Sequence, residues 1–178
     1  MGAKTRIRVH GSAARAVIGG REIDDPESII PVVGTHVGGV VRPNYAGSIW
    51  CWVPVPIHMS SSGDTTKIVG ARIDFQRNFI FDQRATGEID LGNVEVARGG
   101  GGPPIAQIHR NIPRQGFASS APEFEVLERA FFANGEGVPV GENSCAVGIQ
   151  FFVHPRSAAR PETNIAIFSA EVTVEDPD

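Results

Sequence analysis

Apolar and polar residues alternate with a period of two through most of this chain, which predicts strands rather than helices. Thr5 to His10 sets Ile7 and Val9 on one side and Arg6, Arg8 and His10 on the other, then stops at Gly11-Ser12. That is a first strand with a basic outer face. Ser48 to His58 follows the same rule: Ile49, Cys51, Val53, Val55 and Ile57 share one face, and Trp50, Trp52, Pro54 and Pro56 share the other. Its prolines cannot donate to a ladder, so this strand is expected at a sheet edge or leaving the sheet at Pro54. The longest alternation groups Val69, Ala71, Ile73 and Phe75 against Arg72, Asp74 and Gln76. Arg77 interrupts it before Phe79 and Phe81 resume the first parity, so a bulge or bend is expected near Arg77-Asn78.

Ile89 and Leu91 are odd while Val94 and Val96 are even, with Gly92-Asn93 between them. A bulge and a tight hairpin both produce that parity change. Cys145, Val147, Ile149, Phe151 and Val153 form a core strand, and Ile165 to Val174 forms the last. Ile29 to Val33 reads as a short strand after a patternless loop from Ala13 to Ser28, and Ile105 to Ile112 as a weak strand. Ser120 to Gly135 conflicts with itself: Ser120-Ala-Pro-Glu123 resembles a helix capping box, and Phe124, Leu127 and Phe131 have helical spacing. As a strand, the same stretch puts Phe124, Val126, Ala130 and Phe132 together and forces Glu128 inward.

Eight to ten strands without a repeating βα unit predict an all-β fold, an antiparallel β-sandwich of jelly-roll-like form. With 178 residues, 41% of them hydrophobic, one core can be filled, so a single domain spanning 1–178 is expected. Within it, 98–104 (Arg-Gly-Gly-Gly-Gly-Pro-Pro) reads as a mobile Gly-rich loop, and 175–178 as a frayed acidic tail. The loop has neither the lysine nor the Ser/Thr of a phosphate-binding P-loop.

Charge and cysteines narrow the classes. Lys and Arg total 16 against 20 Asp and Glu, so there is no global field to recruit nucleic acid. No apolar run approaches the roughly 20 residues of a membrane span, and Met1 to Arg8 lacks the apolar core of a secretory signal. A cytoplasmic location is the default expectation. Cys51 and Cys145 lie in separate apolar strands without CxxC spacing, and are expected as buried small hydrophobes rather than a disulfide or a zinc site.

Short motifs along the chain carry a resemblance: Arg8-Val-His10-Gly11, Gly34-Thr-His36, Ile49-Trp50 leading to Pro54-Val-Pro56, and the Ile73 to Phe75 strand. Phe124-Glu-Val126, Ala146 to Phe151 and Ile165 to Ala170 extend it. In their order they resemble an uncharacterised family of small bacterial β-sandwich proteins. The resemblance implies a strand at Phe124-Glu-Val126, followed by a helical turn at most, and brings no established activity. The loop Gly99 to Gly102 and the stretch Asn134 to Asn143 depart from that pattern.

The chemistry-bearing residues are sparse. His10, His36, His58, His109 and His154 show no HxH or HExxH spacing, so no metal site and no cofactor is expected. No GxSxG elbow is present, and no activating base neighbours Cys51, so no catalytic residues are assigned and the chain is expected not to be an enzyme. Trp50, Trp52 and Tyr45 are a candidate aromatic platform for a glycan. In Phe79-Ile80-Phe81 and Phe151-Phe152, apolar side chains point both ways, which needs cover on both faces. The expected role is therefore a self-associating structural subunit, a homo-oligomer, or a partner-binding module. A carbohydrate-binding module is the alternative, and a metal-assisted enzyme the third reading.

Overall fold

The computed structural model describes residues 3–19, 27, 29–43, 47–57, 66–77, 87–98, 104–109, 125–130, 138–139, 145–155 and 164–176. Among these residues, thirteen strand segments carry the fold. They are β1 (Lys4–His10), β2 (Arg15–Ile18), β3 (Ile29–Ile30), β4 (Val32–Gly34), β5 (Gly39–Val41), β6 (Gly47–Val55), β7 (Lys67–Arg77), β8 (Gly87–Arg98), β9 (Pro104–His109), β10 (Glu125–Ala130), β11 (Val138–Pro139), β12 (Cys145–Pro155) and β13 (Ile165–Glu175). Five of them, β2, β3, β4, β5 and β11, are four residues or shorter. The remaining long strands match the number expected. All pairings are antiparallel.

The six-stranded sheet runs β3-β2-β6-β12-β8-β9, and the seven-stranded sheet runs β10-β7-β13-β5-β4, with β1 also on β13 and β11 on β7. The long strands β6, β7, β8, β10, β12 and β13 alternate between the two sheets along the chain. Paired neighbours are therefore distant in sequence, which makes this an antiparallel β-sandwich of jelly-roll-like form. On one side Ile29 to Gly34 passes from the edge of the six-stranded sheet (β3) to the edge of the other (β4), turning at Pro31.

The core lies between the sheets. Ile49, Cys51, Val53 and Val55 of β6 are fully buried against Val147, Ile149 and Phe151 of β12 and Ile73 and Phe75 of β7. Phe75 and Phe151 meet edge to face across the gap at 5.6 Å between ring centroids. Arg77 shares the inward parity of Phe75, and its Nη1 donates to the Ile89 carbonyl of the opposite sheet at 2.9 Å. The residue read as a break in the pattern thus ties the two sheets together.

Three register shifts account for the parity changes. Ile149 faces Val94 and Phe151 faces Leu91, so Gly92-Asn93 lie opposite Gln150 alone. Of the two possibilities, the bulge is the one present. Gln150 bridges it: its Oε1 accepts from the Asn93 amide at 3.3 Å, and its Nε2 donates to Ser48 Oγ at 2.8 Å. In β13 the skipped residue is Phe168, so Ile165 and Ile167 face the core from odd positions and Ala170, Val172 and Val174 from even ones. In β7 the extra residue is Val69. Ile68 takes the core position expected for Val69; the bend expected near Arg77-Asn78 falls at the end of the described segment, with Asn78 outside it.

Other expectations are corrected. Arg15 to Ile18, read as loop, is a strand whose inward positions are Ala16 and Ile18 and whose Val17 is buried on the outer side, so apolar residues fall on both parities and alternation is invisible. Trp50 and Trp52 lie on an interior stretch, with β6 paired on both sides from Ile49 to Trp52, while Pro54 lies beyond the pairing with β2 and stands opposite Ala146 of β12 alone. The contested 120–135 stretch forms a strand over Glu125–Ala130, where Glu128 stands opposite Arg72 on the parity of the polar face. The terminal segment is held as far as Asp176: Glu175 pairs with Lys4 in register, and the Asp176 carboxylate accepts from Thr66 Oγ1 at 2.6 Å. Residues 99–103 and 177–178 lie outside the described residues.

Cys51 faces Ile149 and Cys145 faces Val55 on one strand pair, and both thiols are free. Four residues along a strand span about 13 Å, well beyond the roughly 7 Å that a disulfide bridges.

Candidate functional site

The outer face of the six-stranded sheet gathers the aromatic residues of interest. In β6 the outward positions are Ser48, Trp50, Trp52 and Pro54, because Ile49, Cys51 and Val53 are committed to the core. Register carries this face across the sheet: Ile29, Val17, Trp50 and Gln150 form one row, and Arg15, Trp52, Gly148 and Glu95 the next. Ser48, Phe152 and Asp90 form a third row. Ile29 is 59% exposed and Phe152 37%.

The two indoles are half-buried and stack on each other, with centroids 5.1 Å apart and planes within 15°. Trp52 also lies against β12 at Gly148, where a Cβ would fall 2.3 to 2.6 Å from its benzo ring. Glycine is required there because the indole occupies the space a side chain would take. One side of each ring is thus used by its neighbour, so the pair is a ridge rather than two coplanar plates. Tyr45, the third member of the expected platform, lies outside the described residues.

The expected association residues divide. Phe79, Ile80 and Phe81 lie outside the described residues. Phe151 is wholly buried in the core and offers no surface to a partner; Phe152 faces outward. Ile29 joins this face although its sequence gave no sign of it: only its register opposite Val17 places it there.

The outer face of the seven-stranded sheet is polar. Asp74 is fully buried and accepts from Arg8 Nη2 at one oxygen and from Arg72 Nε at the other, the latter at 2.8 Å. Ser169 Oγ donates to the same carboxylate at 2.8 Å while accepting from Arg8 Nε at 3.0 Å. Arg6 and Lys4 reach Glu171 and Glu175 at 3.7 and 3.9 Å. Ser169 stands opposite His10 in register, but that ring's Nδ1 is engaged with Ser12, and the serine's proton goes to a carboxylate already held by two guanidinium groups.

His10 Nδ1 closes the turn after β1 by bonding Ser12, and His36 is exposed at the β4–β5 hairpin. His154 Nε2 lies 3.1 Å from Asp90 Oδ2. His58 lies outside the described residues, as does the side chain of His109. Burial pushes both thiols up to about 12, so neither cysteine is a nucleophile at neutral pH. No helix among the described residues is long and apolar enough to cross a membrane.

No family model matches the chain, and no curated protein does, which is consistent with an uncharacterised family of β-sandwich proteins. Solved structures resemble it in fold. An infectious bursal disease virus structure (Gx strain) matches 98% of this chain and 33% of its own, with a TM-score of 0.51 at 7% identity. A carbohydrate-binding module, TmCBM61 in complex with β-1,4-galactotriose, matches 92% of this chain and 89% of its own, at 12% identity and a TM-score of 0.40. A decameric BFDV capsid protein matches 99% of both chains, at 11% identity and a TM-score of 0.37. The chain spans only about a third, 33%, of the length of the infectious bursal disease virus structure. At these identities the likeness is one of fold: an antiparallel sandwich shared by proteins of different roles.

Proposed function

We propose that the chain is a non-enzymatic β-sandwich that works by self-association through the outer face of its six-stranded sheet. The observation that carries this reading is the pair of exposed apolar residues on that face, Ile29 and Phe152, together with the half-buried Trp50 and Trp52 on the same side of the sheet. A large apolar patch left in water favours association, and aromatic side chains supply the most area per residue ordered. Light scattering over a range of concentrations, with negative-stain images of the same sample, tests it. A uniform assembly heavier than the 19.0 kDa chain is expected, dispersed by Ile29→Asp together with Phe152→Asp. A monomer at every concentration overturns it.

A second reading is glycan binding at the tryptophan ridge, favoured by the exposed Arg15 in register with Trp52. Sugar rings stack on indoles while neighbouring polar groups bond their hydroxyls. Glycan-array binding by the monomer, lost in Trp52→Ala, is the result that supports it.

A further inference from the structure

Strand β1 leaves one of its edges open. Among the described residues it pairs with β13 alone, in register from Lys4 opposite Glu175 to His10 opposite Ser169. β7 occupies one side of β13, so β5 and β1 share the other, β5 along Ile165–Ile167 and β1 beyond it. β4 lies outside β5. The sheet therefore steps inward by one strand at β1, and a strand laid against β1 would stand in line with β4.

One bond fixes the backbone parity of this edge. The Asp176 amide donates to the Ala3 carbonyl at 3.1 Å, and residues 3 and 176 continue the register of the pair. In an antiparallel ladder, directly opposed residues bond each other at every second position. Thr5, Ile7 and Val9 therefore direct their amides and carbonyls at β13, and Lys4, Arg6 and Arg8 direct theirs away from the sheet. The side chains of these last three are cations on the polar outer face. They are 62%, 67% and 55% exposed, whereas the carboxylates they meet, on Glu175, Glu171 and Asp74, are 23%, 11% and 1% exposed. The acids lie beneath, so the surface that an approaching strand meets is basic.

We propose that the open edge of β1 binds an extended acidic segment of a partner protein, added as an antiparallel strand with a carboxylate at every second position. Residues opposed across such a ladder have Cβ atoms about 5 Å apart on the same face, which sets one carboxylate against each of Lys4, Arg6 and Arg8. Main-chain bonds supply the affinity, and the alternate side chains select the partner. A second copy of β1 is a poor occupant. Two-fold pairing through the same backbone groups sets Arg6 against Arg6 with Lys4 against Arg8, or Arg6 against Arg8, and like charges directly opposed repel. This edge is separate from the aromatic face and does not depend on association there.

The test is fluorescence anisotropy of the dye-labelled peptide Thr-Glu-Val-Glu-Val-Glu-Thr, titrated with the whole chain. Binding that weakens as salt is raised is expected, and the counterpart with lysine at the three glutamates should bind at least about tenfold more weakly. N-methylation of the central glutamate removes the proton aimed at the Arg6 carbonyl and should abolish binding. N-methylation of a valine, whose amide points away from β1, should leave it. Arg6→Glu should weaken binding at least about tenfold, with Arg6→Gln in its place if circular dichroism shows the first variant unfolded. Equal binding of the two charge forms, equal binding of the two methylated peptides, or undiminished binding by the Arg6 variant each overturns the proposal. So does an absence of binding at millimolar chain, which would leave these cations as guards of the edge against aggregation.

Discussion

The two outer faces of the sandwich meet water in opposite ways. On the seven-stranded sheet, charges alternate between strands: Arg8 lies opposite Glu171, Glu171 opposite Arg72, and Arg72 opposite Glu128. Beside this row the buried Asp74 is held by two arginines and a serine. On the six-stranded sheet, the same outward positions hold Ile29, Trp50, Trp52 and Phe152. One face pairs Asp74, Glu171 and Glu175 with basic side chains of the same chain, and the other leaves apolar area that a neighbour can cover. A protein that needed only solubility would have two faces of the first kind. That difference is the reason for placing the proposed association on the aromatic face.

The largest effect is expected on the polar face. Asp74→Asn removes the charge on which Arg8 and Arg72 converge. Breaking a buried charge pair from one side costs about 3 kcal/mol or more, because the remaining charges lose their compensation. Arg8 is more than half exposed and can turn to solvent, which holds the loss near that lower value. A fall in the urea midpoint without a change in slope is the expected reading. Little change would show that the lattice is decorative and that the contrast between the faces is not one of internal satisfaction.

On the aromatic face, Gly148→Ala is expected to cost about 2 kcal/mol. The added methyl cannot share space with the Trp52 ring, and the indole has to swing away from β12. The near-ultraviolet circular dichroism of the stacked indoles should collapse along with the stability. Retained dichroism would mean that the stack does not depend on the glycine beneath it. Gln150→Ala is a smaller test, about 1 kcal/mol, because it removes the two hydrogen bonds that span the Gly92-Asn93 bulge and Ser48.

These features differ in how far they could be read from the chain. The strands β1, β6 and β12 follow directly from alternation, because each has one apolar parity. β2 was hidden because its inward Ala16 and Ile18 and its outward Val17 leave apolar residues on both parities. The bulges at Val69 and Phe168 move the core positions by one residue, and local patterning cannot separate that from a wrong register. The stretch around Glu125–Ala130 has helical local signals, and pairing with β7, about 55 residues away in sequence, overrides them. The Asp74 cluster was illegible for the same reason: Arg8 is 66 positions from Asp74, and 161 from Ser169. The tryptophans were visible as a pair, but their stacking and the row reaching Ile29 depend on cross-strand neighbours that no sequence window contains.

The smallest effect on stability is the most informative about function. Ile29 is 59% exposed, so replacing it with aspartate removes little buried area and should change the unfolding free energy by about 0.5 kcal/mol or less. In an assembly built on this face, the same charge would be buried at the contact, where an unpaired carboxylate costs several kcal/mol. The two measurements should therefore separate: denaturant curves that nearly superimpose on the parent's, and light scattering in which the assembly is lost. Equal losses in both would make this side chain part of the fold's own stability. An intact assembly carrying both Ile29→Asp and Phe152→Asp would move the contact off the aromatic face, leaving Trp50 and Trp52 as a ridge for a ligand.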